Sequence, residues 1–326
     1  MQTTVVGNYP KIPNLPKPAR LRNAINRRDR GDLTNEELAA VFDEVTVEVI
    51  QEQTDAGIDI VTDGQVRWDD DQTYVARGMA GIEIGALQRY LDTNTYYREP
   101  EITGDIAFKA SVLVKDWQFA QQNSTRPVKA ILPGPFTLGR LSLDKHYNDN
   151  GTVVRALAKA LRSEAEALVA AGCKHIQVND PTIVLNKGEV ALFAEGIATV
   201  LAGLDGVETG VYTWFGDCAG ILGDLAQLPV DVIGLDFVAG PDNWDAIKNT
   251  DLGGKKLGAG IVDGRNTRLE SASEVTAAIE RLTESVPADR IYVNPSCGLE
   301  YVPRETAFEK LRVLAEAARQ EEGVPA

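Results

Sequence analysis

The chain has 326 residues, of which 44% are hydrophobic and 25% charged, a composition typical of soluble globular proteins. A formal net charge of −15 argues against nucleic acid or an anionic membrane surface as the main partner, and no apolar run reaches the about 20 residues that span a bilayer. The three cysteines are too far apart for a disulfide framework and the N-terminus has no secretory signal, so we expect a cytoplasmic protein.

Short β-branched runs alternate with longer segments of helical period along the whole chain, which is typical of parallel βα units. Eight runs predict strands, at 3–7, 58–63, 128–132, 175–179, 210–214, 232–236, 257–262 and 291–294. Helices are predicted between most of them, at 33–56, 153–171, 273–285 and 305–321. This count predicts an α/β fold with a single (β/α)8 barrel over residues 1–326, and a doubly wound open sheet is the alternative.

Two segments interrupt this alternation, and each follows one of the first two predicted strands. Residues 8–31 are rich in proline and arginine, and residues 69–108 carry several aromatic side chains but few helical repeats. In a barrel, insertions at these places would lie over the C-terminal face, where active sites are built.

Polar or backbone-permissive residues follow all eight predicted strands. Turns favour aspartate, asparagine and glycine for backbone reasons alone, but eight such ends together indicate a polar pocket. After the last strand, Cys297 stands beside a proline and a glycine, where a thiol can face that pocket and bind a metal or a substrate. The alternative is a small buried apolar residue. The other ends read Gly7-Asn8, Asp63-Gly64-Gln65, Pro133-Gly134-Pro135, Asn179-Asp180-Pro181, Trp214 to Asp217, Asp236-Phe237 and Asp263 to Asn266.

Several segments resemble the cobalamin-independent methionine synthases and occur in that family's order over nearly the whole chain. Those enzymes are two fused (β/α)8 barrels that move a methyl group from methyl-tetrahydrofolate to homocysteine, with zinc activating the thiol in the C-terminal barrel. The length here equals one barrel. The segments are 6–10, 62–68, 89–97, 132–137, 176–181, 261–266 and 294–299, the last reading Asn-Pro-Ser-Cys-Gly-Leu.

The resemblance implies a methyltransferase that takes a methyl group from a folate or corrinoid donor and passes it to homocysteine or a related thiol. Its partners would be small-molecule substrates, and a second zinc-bearing barrel subunit or a corrinoid protein is a further expectation. The alternative is a non-catalytic barrel that binds the methyl donor and works with a separate zinc-bearing subunit. A relative of uroporphyrinogen decarboxylase is a third hypothesis, echoed only by the basic run 20–30.

The family's zinc ligands are a His-x-Cys pair, a glutamate and a cysteine, and the resemblance places these positions on Tyr212, Trp214, Asp236 and Cys297. Only Cys297 keeps the family residue, so it is the predicted metal ligand. Tyrosine and tryptophan cannot replace imidazole and thiolate on Zn²⁺, although Cys218 lies close enough in sequence to compensate. Zinc is therefore a doubtful cofactor. The replacements bring the chain closer to the family's N-terminal barrel, which has lost zinc and helps to hold the folate.

The resemblance also implies the substrate contacts. The family's homocysteine site has carboxylates where this chain has Gln65 and Asn179, so either an amino acid binds more weakly or the ligand lacks an ammonium group. Asp63 or Asp180 is the alternative source of negative charge. We predict Asp180 and Asp236 as catalytic residues that orient or deprotonate the thiol. The predicted substrate-binding set is Asn8, Lys11, Asp63, Gln65, Arg67, Trp68, Asn179, Trp214 and Asp263, with Trp68 or Trp214 stacking on a pterin-like ring.

Overall fold

A computed structural model describes residues 1–13 and 19–321. The strands are β1 (Gln2–Thr3), β2 (Met79–Arg89), β3 (Tyr96–Phe108), β4 (Ala130–Pro133), β5 (Leu143–Asp144), β6 (His175–Asn179), β7 (Glu208–Tyr212), β8 (Val232–Asp236), β9 (Lys256–Val262) and β10 (Ile291–Pro295). The helices are α1 (Arg20–Asp29), α2 (Asn35–Asp55), α3 (Thr73–Ala76), α4 (Val114–Gln122), α5 (Pro135–Arg140), α6 (Asn150–Ala170), α7 (Val190–Leu201), α8 (Leu222–Leu225), α9 (Asn243–Lys248), α10 (Ala272–Thr283) and α11 (Arg304–Glu321).

The chain forms two compact units. Unit 1 comprises Met1–Arg67, Phe119–Val128 and Leu257–Ala326, and unit 2 comprises Trp68–Gln118 and Lys129–Lys256. Within the described ranges, no helix is both long and apolar enough to cross a membrane. Residues 14–18 of the first predicted insertion and 322–326 of the predicted single domain lie outside the described residues.

In unit 1, β10 is wholly buried and pairs in parallel with β1 on one side and β9 on the other. The predicted strand at 58–63 is reduced to single parallel bridges at Ile60 and Val61. Its polar backbone is satisfied in another way, because the side chain of Gln53 accepts from Thr62 N and donates to Thr62 O, both at 3.0 Å. The Gln53 amide therefore takes the place that a neighbouring strand would fill.

Helix α2 begins at a capping box, which the Thr-x-x-Glu spacing of Thr34 and Glu37 allows. The Thr34 hydroxyl accepts from the Glu37 N–H, and the Glu37 carboxylate accepts from the Thr34 N–H. Its buried residues include Val45, Val49 and Ile50, and they recur at the helical spacing of one apolar face.

In unit 2, four parallel strands lie in the order β4-β6-β7-β8. Helix α6 packs with α5 and α7, and its buried side chains recur every three or four residues. It ends before Gly172, whose φ of +98° is the left-handed conformation that favours glycine after a helix.

The second predicted insertion contains an antiparallel hairpin of β2 and β3, with β5 parallel to β3. The sequence pattern did not predict these strands. The pairing register shifts between Ala80 and Ile82 and again between Ile84 and Leu87. Each bulge moves the following side chains to the other face, so the period-two alternation that predicts a strand is broken.

Candidate functional site

In unit 1, the turn after the bridge at Val61 carries the buried side chain of Gln65. Gly64 and Gln65 both have positive φ, +66° and +52°, and Gln65 N donates to Asp63 Oδ1 at 2.9 Å. A non-glycine residue in this region costs about 1–2 kcal/mol. Strain of this kind concentrates at functional sites, and here it holds a buried amide at a predicted substrate position.

The predicted residue Asn8 lies between this turn and the loop that follows β10. Tyr9 N donates to Gly64 O at 3.1 Å, and Leu299 N donates to Asn8 O at 2.9 Å. A methyl group on Gly298 would come within 3.0 Å of Asn8 Cβ. Unit 1 thus brings Asn8 together with the turn of Gln65 and the loop of Cys297, whereas Lys11 is partly buried further along the same segment.

Cys297 is 1% exposed, and its thiol donates to the carbonyl of Gly298 at 3.3 Å. A Cβ atom on Gly264 would lie 2.8 Å from the sulfur, so only glycine fits there without displacement. The Ser296 hydroxyl accepts from Gly264 N at 3.2 Å. The ends of β9 and β10 are therefore locked together around the thiol.

Asp263 lies at the start of the same loop after β9, and it is held there by an ion pair that the sequence did not predict. Its N–H donates to Glu270 Oε1 at 3.0 Å. Lys310, whose side chain is fully buried, donates to Glu270 Oε2 at 2.7 Å and to Arg268 O at 2.6 Å. Lys310 lies on α11 and looks from its position like any surface lysine of an amphipathic helix, so no sequence signal marks this ion pair.

The predicted substrate-binding Arg67 is held by helix α2 of its own unit. Its guanidinium is paired with Asp43, donates to Thr46 Oγ1 at 3.2 Å and lies 4.9 Å from the ring centre of Phe119. Its side chain is 15% exposed.

In unit 2, the predicted catalytic residue Asp180 is fully buried and caps α5. Its two carboxylate oxygens accept from Thr137 N at 2.7 Å and from Phe136 N at 3.2 Å. Burial raises the pKa of the Asp180 carboxyl to about 7. A Cβ atom on Gly134 would overlap this carboxyl group, which explains the glycine in Leu-Pro-Gly-Pro.

The second predicted catalytic residue, Asp236, joins the ends of β7 and β8. Oδ2 accepts from Phe215 N at 3.0 Å, and Oδ1 accepts from Val238 N at 2.9 Å and Ala239 N at 2.8 Å. Phe215 has a φ of +66°, so the carboxylate stabilises a strained turn directly after Trp214.

Both predicted stacking tryptophans are buried in unit 2. Trp68 stacks on Tyr74 with 5.4 Å between ring centres. Trp214 is 4% exposed, and its indole N–H has no hydrogen-bond acceptor among the residues that the structure describes.

At the end of β6, Gln177 Nε2 donates to Asn179 Oδ1 at 2.6 Å.

The described residues contain no group of three or more histidine, cysteine, aspartate or glutamate side chains that could hold a metal ion. Of the four positions that the resemblance assigns to the family's zinc ligands, Tyr212, Trp214 and Asp236 lie in unit 2. An indole N–H is a donor only, and the Asp236 oxygens already accept three backbone N–H groups. Cys218 is fully buried, and its sulfur already lies in hydrogen-bond contact with the Thr213 hydroxyl at 3.3 Å. These residues do not fit zinc.

A buried lysine in unit 2 makes stability depend on pH. Burial lowers the pKa of Lys129 to about 7, although the nearby negative charge of Glu208 acts to raise it. Between pH 7 and about 10.5 this lysine is protonated in the unfolded chain but largely neutral in the folded one, so the free energy of unfolding rises with pH over that range. Below pH 7 it is protonated in both states, and the full cost of burying its charge remains. We expect Lys129→Met to reduce the gain in unfolding free energy between pH 7 and 10 by on the order of 1–3 kcal/mol, measured by urea unfolding. An unchanged pH slope would contradict this.

The sequence model of the family described as "Cobalamin-independent synthase, Catalytic domain" matches residues 1–320. This chain belongs to that family. A methionine synthase of Sulfurisphaera tokodaii is 32% identical over 312 residues, which cover 95% of this chain and 89% of the relative. A methionine synthase of Saccharolobus solfataricus is 30% identical over 322 residues, with 98% and 94% covered.

Solved structures of the family share the fold. The B12-independent methionine synthase from Shewanella sp. W3-18-1, in complex with selenomethionine, has a TM-score of 0.82 and 25% identity, and 98% of each chain is covered. A putative vitamin-B12 independent methionine synthase from Listeria monocytogenes has a TM-score of 0.79 at 18% identity, again with 98% of each chain covered. The predicted α/β fold with a (β/α)8 barrel is confirmed.

Proposed function

We propose that this member of the cobalamin-independent synthase family transfers a methyl group to a thiol, homocysteine or a related compound, from a folate or corrinoid donor. The match of the family over residues 1–320 carries the proposal. The polar residues at the strand ends support the proposal, because (β/α)8 barrels build their active sites at the C-terminal ends of the strands.

In this reaction the thiol loses its proton, the thiolate sulfur forms a bond to the methyl carbon, and the bond between that carbon and the donor breaks with its electron pair remaining on the donor. With a folate donor, the leaving nitrogen then takes up a proton. We assign Asp180 and Asp236 a positioning role, since both carboxylates hold backbone N–H groups at strand ends. Trp68 and Trp214 offer buried aromatic surface for a pterin-like ring.

The decisive test incubates the purified chain with homocysteine and either methyl-tetrahydrofolate or methylcobalamin, and measures methionine by mass spectrometry. Methionine formed from one donor supports the proposal and names the donor. A chain that binds methyl-tetrahydrofolate but forms methionine only after a zinc-bearing barrel is added is instead the donor-binding subunit. Neither binding nor transfer with either donor would refute both hypotheses.

Restoring a carboxylate at Asn179 tests how the acceptor is held. A carboxylate makes a charge-assisted hydrogen bond to an ammonium group that is roughly twice as strong as the one made by an amide. We therefore expect Asn179→Asp to lower the KM for homocysteine by about tenfold without a similar effect on a thiol that lacks the amino group. Asn249→Asp, the same substitution at an exposed residue that follows α9, is the control that adds the same charge outside the predicted contact. Equal effects of the two variants would argue against a contact at Asn179.

A further inference from the structure

We infer that Glu52 of α2 is a positioning residue, which holds the acceptor site of unit 1 in its binding geometry through the Tyr9 hydroxyl. The acceptor site is here the pair of segments that carry Asn8 and Gln65, two of the predicted substrate-binding residues. The inference rests on the proposed function for the choice of a thiol such as homocysteine as the ligand. Its tests measure ligand binding and the reactivity of a cysteine, so they can fail separately from methyl transfer.

The Glu52 carboxylate is bonded to two buried side chains. The Tyr9 hydroxyl donates to Oε2 at 3.0 Å, and Arg304 Nε donates to Oε1 at 3.0 Å and to Oε2 at 2.9 Å. Tyr9 is 3% exposed, and the Arg304 side chain is 5% exposed. Burial, followed by the charge of Glu52, raises the pKa of the Tyr9 hydroxyl, so it stays a donor. These charge-assisted bonds fix the Tyr9 side chain in one position.

The backbone of Tyr9 carries this constraint to the turn of Gln65. Tyr9 N donates to Gly64 O at 3.1 Å, and a Cβ atom on Gly64 would come within 3.1 Å of Tyr9 Cβ. Gly64 and Gln65 both have positive φ, and such a conformation in a non-glycine residue persists only where the surrounding structure imposes it. The contact with Tyr9 is part of what imposes it, so a shift of Tyr9 should let the turn relax.

The same tyrosine places Asn8, its neighbour in the chain. Asn8 O accepts from Leu299 N at 2.9 Å, and Leu299 belongs to the loop of Cys297. That loop leads into α11, whose first residue is Arg304, the second partner of Glu52. The contacts therefore form a ring through the segment after β1, the loop after β10 and the start of α11. Because the ring closes on one carboxylate, a change at Glu52 should loosen these segments together.

Helix α2 is suited to this role because it also fixes both ends of the segment 62–67. At one end the Gln53 side chain bonds the backbone of the segment, and at the other Thr46 Oγ1 accepts from the Arg67 guanidinium at 3.2 Å. Glu52 adds a third contact, which reaches the middle of the segment through the tyrosine. A site supported by a rigid helix is held more precisely than one on an unsupported loop.

Homocysteine binding gives the first test, measured by calorimetry without a methyl donor. Tyr9→Phe removes the hydroxyl but leaves the ring and the ion pair of Glu52 with Arg304, so we expect it to fold and to bind homocysteine about tenfold more weakly. Glu52→Gln offers one neutral oxygen where the carboxylate offers two, and it should weaken binding by a similar factor. Unchanged dissociation constants in both variants would overturn the inference. A wild-type chain that binds no homocysteine would overturn it as well, since there would be no acceptor to position.

Glu48→Gln is the matched control on the same helix. The Glu48 carboxylate lies 3.6 Å from the Arg304 guanidinium and its side chain is 48% exposed, so the substitution removes a charge beside the same arginine without touching the bond to Tyr9. We expect homocysteine binding within about twofold of the wild type. The double variant Tyr9→Phe/Glu52→Gln should bind no more weakly than the weaker single variant, because both changes break the same link. Additive losses, or equal losses in Glu48→Gln and Glu52→Gln, would show that Glu52 does not act through Tyr9.

The reactivity of Cys297 separates a local shift from a general loss of stability. Cys297 lies in the loop that Asn8 contacts, and Cys173, equally buried but in unit 2, is the internal reference. We expect Tyr9→Phe to raise the rate of iodoacetamide alkylation at Cys297 by about threefold or more and to leave Cys173 unchanged, as measured by peptide mass spectrometry. Equal increases at the two cysteines, or none at Cys297, would refute the positioning role. Weakened homocysteine binding by Tyr9→Phe in a chain that transfers no methyl group would refute only the proposed function.

Discussion

Replacing Lys310 by methionine is expected to lower the free energy of unfolding by about 3–5 kcal/mol, because it leaves the Glu270 carboxylate buried without its cation. Glu270 holds the N–H of Asp263, so the loop after β9 should loosen as well. Urea unfolding measures the first effect. The second is measured by the alkylation rate of Cys297, against which Gly264 of this loop is packed, and we expect that rate to rise.

The chain offers a matched control on the same helix. Arg312 pairs with Glu309 at 2.9 Å with both side chains exposed, and such surface pairs contribute only about 0–1 kcal/mol. Arg312→Met should therefore be nearly neutral. The double variant Lys310→Met/Glu270→Gln should recover much of the lost stability, since it removes the unpaired buried charge. If Lys310→Met behaved like Arg312→Met, the buried pair would have no structural role.

The second large effect is expected at Gly134. A methyl group there overlaps the Asp180 carboxyl, which is short, buried and already bonded to two N–H groups of α5. Overpacking and loss of the cap together predict that Gly134→Ala lowers the free energy of unfolding by about 2–4 kcal/mol. Differential scanning calorimetry would show this as a lower Tm.

Gly223→Ala is the control for that substitution. Gly223 lies in α8, where nothing stands within 4 Å of the added methyl group, so the change should be neutral or slightly stabilising. Activity adds a second readout. If Asp180 acts by positioning α5, Gly134→Ala should impair turnover in proportion to the displacement of that carboxylate, while Gly223→Ala leaves it unchanged. A Gly134→Ala protein as stable as the control would show that Asp180 has room to move.

The predicted helices agree with the structure where a local sequence signal marks their first or last residue. Helix α2 follows the capping box at Thr34 and Glu37, and α6 stops before Gly172. The strand at 58–63 was predicted from its β-branched residues, but it forms only single bridges at Ile60 and Val61, and the Gln53 side chain takes the backbone hydrogen bonds of Thr62. The hairpin of β2 and β3 was not predicted because two bulges break its alternation. A local sequence pattern predicts a strand only when the hydrogen-bond ladder is regular. At 58–63 a side chain replaces part of the ladder, and in the hairpin of β2 and β3 two bulges interrupt it.

The family, the fold class and the strand ends where polar residues gather were predictable from the amino-acid sequence, because each depends on motifs whose order and spacing are visible along the chain. The single domain and the roles of the predicted site residues stay predictions. Only the tertiary structure showed that Asp180 and Asp236 are engaged by backbone N–H groups. It alone revealed that Lys129 and Lys310 are buried, because the burial and pairing of a lysine depend on residues far away in sequence.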